Sequence, residues 1–237
     1  MPTNPIPLVL IPGMMCDHRL YRSQIAELAA EQPLLVVDIA CGCTMADIAQ
    51  HIWSQVSWPY FALAGLSMGG IIAMEMARQQ PQKLAGLALL NTTPWAESEH
   101  IKSYRQAQIE LAQQGHYLRV IEEQIAPYYG DHPASNEAQL ALMLTMAEHF
   151  GAAVFIKQSL ALRDRKDQLE TLKHFNKPSL ALCGEHDQLC PINHHEAIAE
   201  AMPDCQLGIL ANAGHLTSLQ APQATNSALR AWLKRLN

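Results

Sequence analysis

Ser67 is the side chain in this 237-residue chain best placed to act as a nucleophile. It stands between Gly65 and Gly69 in Phe61-Ala62-Leu63-Ala64-Gly65-Leu66-Ser67-Met68-Gly69-Gly70, and Ile71-Ile72-Ala73-Met74-Glu75-Met76-Ala77-Arg78 follows at helical spacing. An apolar run of strand length, a tight turn with a serine at its tip and an immediate helix make a nucleophile elbow. The glycine spacing has a steric cause: a residue held at a strained backbone angle in so short a turn needs neighbours without a Cβ. The free N–H groups and positive end of the new helix face any negative charge that develops beside the serine. No other serine in the sequence has this setting.

A serine hydroxyl is a poor nucleophile at neutral pH, so it needs a base within hydrogen-bond reach, and that base needs an orienting partner. Of eleven histidines, His215 alone follows a predicted late strand in a short glycine-bearing loop, Ala211-Asn212-Ala213-Gly214-His215. His194-His195-Glu196 lacks the i, i+4 spacing that puts two metal ligands on one helix face, and an exposed helix start is expected there instead. For the orienting acid, Asp187 lies just past a strand in Cys183-Gly184-Glu185-His186-Asp187. Glu185 is its rival, two residues nearer the strand, while Asp204 precedes its strand and belongs to the wrong end of a sheet. A developing oxyanion needs backbone donors. The N–H of Met68 is one, and the turn Pro12-Gly13-Met14-Met15 offers that of Met14 as the second.

Positioning these groups falls to an alternation of apolar strands and amphipathic helices. Strands are predicted at Ile6 to Ile11, Leu34 to Asp38, Phe61 to Leu66, Leu84 to Leu90, Ser179 to Cys183 and Cys205 to Leu210. Helices are predicted at Ser23 to Ala30, from the N-cap Thr44 through Val56, after the elbow as far as Pro81, at His194 to Met202 and at Pro222 to Leu236. Such a rhythm signifies a parallel sheet covered on both faces, with right-handed crossovers. It breaks between Trp95 and Leu172, where only helical patterns occur: Ser98 to Gln114, Tyr117 to Ile125, Ser135 to Phe150 and Ala152 to Leu162. Gly115, Pro127, the Gly130-Asp131-His132-Pro133 turn and Gly151 punctuate them. The expected organisation is a core of residues 1–94 and 173–237 with a helical cap inserted at 95–172. In an open parallel sheet, reactive groups collect in loops at the carboxyl ends of the strands, where Ser67, Asp187 and His215 all fall.

Composition narrows the function. Hydrophobic residues make up 49% and charged residues 16%, with a net charge of −6. That is an ordinary globular balance, and without a basic stripe it excludes a nucleic-acid partner. The six cysteines are too sparse for a disulfide scaffold, and Cys41-Gly42-Cys43 has no second pair at zinc-site spacing, so free thiols are expected. The start of the chain lacks the features of a signal peptide and no segment is expected to span a bilayer, which makes the cytoplasm the expected location and excludes a membrane partner.

Elbow serine, acid after a later strand and histidine after the last strand, in that order and with a helical insertion before the acid, resemble the α/β-hydrolase fold superfamily over essentially the whole chain. Gly184-Glu185-His186-Asp187 with Pro191 behind it, and Gly214-His215 with a helix after it, are similar to the family's acid and base loops. Members commonly carry His-Gly before the oxyanion residue, where this chain has Pro12-Gly13. Few residues precede the first strand, so the family's two opening strands are not expected and six parallel strands are.

The resemblance implies a serine hydrolase acting on an ester or thioester of a small, largely apolar acyl group, with no cofactor and no metal. Carbon–carbon bond hydrolysis, acyl transfer and an idle triad on a binding protein are the alternatives within the same fold. Leu140-Ala141-Leu142-Met143-Leu144-Thr145-Met146 is expected mainly as helix core, with an acyl-pocket wall as the alternative. An acyl group borne on a carrier protein is disfavoured: the segment 95–172 holds eleven carboxylates and seven cations, unless Arg105, Arg119, Arg163 and Arg165 cluster. Cys41 and Cys43, in the loop after the second strand, are expected to border the mouth of the site.

Overall fold

The computed structural model describes residues 5–130 and 137–236. Six strands, β1 (Leu8–Ile11), β2 (Leu34–Val36), β3 (Phe61–Leu66), β4 (Leu84–Leu90), β5 (Ser179–Gly184) and β6 (Cys205–Leu210), form one sheet in the order β2-β1-β3-β4-β5-β6. Every neighbouring pair is parallel. The chain steps from β1 outward to β2, returns to β3 on the far side of β1, and then proceeds outward to β6. Reversal of direction leaves a crevice at the carboxyl ends of β1 and β3, the switch point at which open sheets of this kind bind ligands.

Residues of the central strands are buried on both sides because successive side chains supply opposite faces of the sheet. Phe61 and Leu63 of β3 join a core with Ile48 and Ile52 of α2 (Met45–Gln55), Met74 and Met76 of α3 (Met68–Gln79) and Ile198 of the helix Ile192–Ala201. Ala62, Ala64 and Leu66 join the opposite core with Leu28 of α1 (Arg22–Leu28) and Leu229 and Trp232 of the helix Pro222–Lys234. Each fully buried leucine of this kind contributes about 1.5–3 kcal/mol.

Between β4 and β5 the structured elements are helical: α4 (Glu99–Gln113), α5 (Tyr117–Val120), α6 (Pro127–Gly130), α7 (Glu137–Arg163) and α8 (Leu169–Lys173). Ser98 caps α4, its hydroxyl accepting from the Ile101 N–H. Tyr117, Val120, Ile121, Ala147 and Phe155 form a small core of their own that reaches the main body through Met15. Beyond β5 come α9 (Ile192–Ala201), α10 (Thr217–Gln220) and α11 (Pro222–Lys234).

Three local expectations are corrected. β1 begins at Leu8, because Pro7 has no N–H to give the ladder and contributes only its carbonyl, which accepts from Ala62 N–H at 2.8 Å. The helix expected from Tyr117 to Ile125 is α5 followed by a wider π-helical turn, Ile121–Ile125, closed by Ala126 N–H on the Ile121 carbonyl at 2.8 Å. Its last two residues consequently face the cavity described below. The start of the Ser135 helix and the turn at 131–133 lie outside the described residues.

The third concerns bilayer length. α7 is long and apolar enough to cross a membrane, with 27 residues and a mean hydropathy of 1.4 over its best window. The backbone leaves the helix at Gly151, with φ 71° and ψ 178°, a conformation open to glycine. The two helical lengths on either side are each shorter than the roughly 20 residues that a bilayer crossing requires.

Candidate active site

Ser67 closes β3 and opens α3 with φ 57° and ψ −118°, an unusual angle for a residue with a side chain. Holding it there costs about 1–3 kcal/mol, and the surroundings must over-determine it. Its N–H donates to the Leu90 carbonyl at 2.8 Å, and its carbonyl accepts from the Thr92 hydroxyl at 2.8 Å. The flanking glycines answer to packing as much as to the turn. A Cβ on Gly65 would lie 2.2 Å from the Gly69 carbonyl oxygen, and one on Gly69 would lie 2.2 Å from that of Ile11. Strand and helix approach so closely here that only bare backbone fits.

The Ser67 hydroxyl lies 2.9 Å from His215 Nε2, and His215 Nδ1 lies 2.9 Å from each carboxylate oxygen of Asp187. Asp187 Oδ1 also accepts from the N–H groups of Leu189 and Cys190, both at 2.9 Å, and Oδ2 accepts from Asn91 Nδ2 at 2.9 Å. Burial pushes the Asp187 carboxyl up, but the adjacent His215 and the donors from His215, Cys190 and Asn91 outweigh it and hold the group below its ordinary value. An ionised Asp187 requires the Nδ1–H tautomer of His215, which leaves Nε2 as the acceptor for the Ser67 proton. Glu185 does not touch His215 and accepts instead from Asn212 N–H at 3.3 Å, and Asp204 pairs with Arg235.

Met14 and Met68 both line the cavity onto which Ser67 opens. Met68 is the first residue of α3, so its N–H has no acceptor within the helix. The Met14 N–H makes no hydrogen bond among the described residues. Its neighbour Met15, at φ 55°, donates its N–H to Gln158 Oε1 at 2.8 Å, and Gln158 Nε2 donates to the Ile39 carbonyl at 3.2 Å. Gln158, fully buried in α7, therefore ties the inserted helices to the loops that follow β1 and β2.

The cavity measures about 560 Å³. Tyr129 of α6 stacks on the His215 ring with centroids 5.6 Å apart. Leu162, Leu189 and Ile71 supply apolar wall. None of Leu140 to Met146 is part of that wall; Met143 and Met146 are buried in the cores. Cys41 and Cys43 do not line it either, and all six cysteines are free. Cys190 does line it, with its thiol pushed well above the ordinary value by burial and by Asp187, so it is neutral and a poor rival nucleophile.

The histidine pair differs from the expected exposed helix start. His194 is half-buried and meets Trp95 edge-on with centroids 4.7 Å apart. His195 is fully buried, and its Nε2 accepts from the Thr92 N–H at 3.0 Å. Burial pushes its imidazole down to about 4, so it is a neutral acceptor that holds the same threonine whose hydroxyl holds Ser67. Asn91, at φ 46°, has a comparable supporting part, giving Nδ2 to Asp187 and to the Gly214 carbonyl and accepting from Thr217 at 2.5 Å. Sequence reasoning passed over Asn91 and Thr92, although the rule that found Asp187, a polar residue just past a strand's carboxyl end, applies to both.

Several known proteins share this frame. A family model described as the alpha/beta hydrolase fold matches residues 6–222. The pimeloyl-[acyl-carrier protein] methyl ester esterase of Xanthomonas axonopodis pv. citri is 26% identical, over 94% of this chain and 93% of that one. The RutD protein of Yersinia enterocolitica, to which a carbamate hydrolase activity is ascribed, is 24% identical over 95% of this chain and 86% of its own length. Among solved structures, a thermophilic esterase from Thermogutta terrifontis superposes with a TM-score of 0.86 at 24% identity, covering 98% of this chain and 91% of that one. The parallel six-stranded sheet, the chain order of the site residues and the matched span agree: this chain belongs to the α/β-hydrolase family.

Proposed function

We propose that this hydrolase cleaves ester or thioester bonds of small, largely apolar acyl substrates through attack by Ser67. The observation that carries the proposal is the hydrogen-bonded line from Ser67 through His215 to Asp187, opening on a cavity of about 560 Å³. As Ser67 Oγ adds to the carbonyl carbon, its proton passes to His215 Nε2, while Asp187 holds the ring and stabilises the imidazolium. The N–H groups of Met14 and Met68 receive the oxyanion, each such donor being worth on the order of 10²–10³ in rate. Collapse breaks the bond to the leaving group, which departs as the alcohol or thiol with the proton from His215. A water then gives its proton to His215, adds to the acyl carbon and releases the acid, and Ser67 recovers its proton.

A free small molecule is favoured over an acyl group on an acidic carrier protein. Arg105 and Arg165 do cluster, but in the cavity wall around Glu97 rather than on an open face. Arg119 pairs with Glu123 and Arg163 with Asp164. The test is intact-mass analysis after treatment with a fluorophosphonate, on wild type and on Ser67→Ala, with turnover of short 4-nitrophenyl esters followed in parallel. One adduct, lost together with turnover in Ser67→Ala, is the expected result. A folded wild type that neither takes up the probe nor turns over an ester would overturn the proposal.

A further inference from the structure

Glu97, Arg105 and Arg165 all line the cavity, outside the Ser67–His215–Asp187 line. Glu97 Oε1 accepts from Arg105 Nη2 and from Arg165 Nη1, each at 2.5 Å, and Arg105 Nε spans both carboxylate oxygens at 2.9 and 3.0 Å. The Glu97 side chain is 1% exposed, that of Arg165 10% and that of Arg105 18%. Arg165 is fixed further by Nε donating to the Trp95 carbonyl at 2.9 Å. One carboxylate thus faces two guanidiniums, which leaves the cluster with one positive charge in excess.

A largely buried charge requires a partner, and among the described residues this one has none. Among the described residues, Asp187 is the other acid near the cavity, and it is taken up by His215, Asn91 and two backbone N–H groups. Arg105 Nη1 and Arg165 Nη2 make no hydrogen bond among the described residues. On the same wall, Gln124 Oε1 accepts from Tyr104 and Gln108, both at 3.3 Å, and its amide nitrogen is left as a further donor. The cavity therefore combines apolar wall beside Ser67 with an uncompensated cation and unused donors, an arrangement that suits an anion of planar, two-oxygen geometry.

We propose that Arg105 and Arg165 form a carboxylate subsite, so that the preferred substrate carries a carboxylate in addition to the ester that Ser67 attacks, as a half-ester of a short dicarboxylic acid does. Turnover of such a substrate rests on the ester hydrolase function proposed above, whereas binding of the carboxylate does not. The experiment has two arms. The first compares kcat/KM for 4-nitrophenyl hemiglutarate and the uncharged 4-nitrophenyl pentanoate in wild type, Arg105→Met and Arg105→Lys. Wild type is expected to favour the hemiglutarate about tenfold or more, the scale of one charge-assisted hydrogen bond. That preference is expected to fall about tenfold in Arg105→Met and to recover in part in Arg105→Lys, where charge returns without the planar fork.

The second arm measures calorimetric binding of monomethyl glutarate to Ser67→Ala, alone and combined with Arg105→Met, and it stands without catalysis. If neither ester is turned over but monomethyl glutarate binds in an Arg105-dependent manner, the hydrolase function fails and the subsite stands. A wild-type preference for the pentanoate overturns the subsite, whatever the folding of the variants. Equal loss on both esters in a folded Arg105→Met, or no binding of monomethyl glutarate to Ser67→Ala, does the same.

Discussion

Replacing Gln158 with methionine tests the tie between the inserted helices and the proposed oxyanion donor Met14. Methionine matches glutamine in length, so the cavity term is small and the loss is one of hydrogen bonds. The Met15 N–H and the Ile39 carbonyl, held at 2.8 and 3.2 Å, would both be left buried without a partner. Each orphaned group costs about 1–3 kcal/mol, and with the longer bond at the lower end the sum is about 3 kcal/mol. In a chain of this size that corresponds to a fall in Tm of about 6–12 °C. Activity should respond as well, because Met15 sits at φ 55° directly after Met14 and its tether fixes the direction of the Met14 N–H. Displacing an oxyanion donor without deleting it should lower kcat about tenfold, short of the 10²–10³ for outright loss. Thermal unfolding by circular dichroism and ester turnover measured well below Tm separate the two effects. A Tm within about 1 °C of wild type would refute the hydrogen-bond argument. A lowered Tm with unchanged kcat would refute the role of Met14.

Two further expectations come from the supporting shell. Gly69→Ala places a Cβ 2.2 Å from the Ile11 carbonyl oxygen and 2.6 Å from that of Pro12, so β1 or α3 must move. A loss of about 3 kcal/mol or more is expected, measured as a urea midpoint, and a midpoint matching wild type would show that the strand and helix are not in this contact. His195 is held neutral in the folded state, its imidazole pushed down to about 4 by burial, whereas in the unfolded chain it titrates near its ordinary value. The unfolded state therefore binds more protons between those two values, and stability must drop as pH falls through this window, by about 3 kcal/mol in all. His195→Gln retains an acceptor for the Thr92 N–H without the titration, so its urea midpoints at pH 7 and 4.5 should lie closer together than those of wild type. A steeper dependence in the variant would count against the argument.

Local signals made the sheet legible. β4 and β6 run over the predicted residues, Leu84–Leu90 and Cys205–Leu210: β4 is apolar and buried along its whole length, whereas β6 is an edge strand with Leu207 and Ile209 exposed. β2 stops at Val36, two residues early, as a half-buried strand on the edge where only β1 holds it. Ser67, Asp187 and His215 could be singled out because each follows a strand at its carboxyl end and each has a short motif around it. Gln158 and Glu97 could not, and Arg165 stood out only as one of four arginines weighed as a carrier-protein contact, not for its pairing with Glu97. Gln158 meets Met15 across 143 residues, and Arg165 meets Glu97 across 68, and nothing in the neighbourhood of either residue announces the partner. The π-helical turn at Ile121–Ile125 was hidden for another reason: one extra residue in a turn leaves the apolar spacing close enough to that of an ordinary helix.

β4 and β5 are hydrogen-bonded neighbours, and the chain leaves the sheet at Leu90 to return at Ser179. Ser67, Asp187 and His215 all lie outside this excursion, while Arg105, Gln124 and Arg165 lie within it. Selection can therefore rewrite one stretch without disturbing the other, and a substitute segment from a relative would enter and leave through the same two adjacent strand ends. Its freedom has two limits, and the first is at its start: Asn91 and Thr92, which hold Asp187 and Ser67, must stay. An incoming segment must also bring an acceptor to the Met15 N–H, and a graft chosen only for the ligand it recognises, without regard to the residue at position 158, would loosen the turn that carries the proposed oxyanion donor Met14.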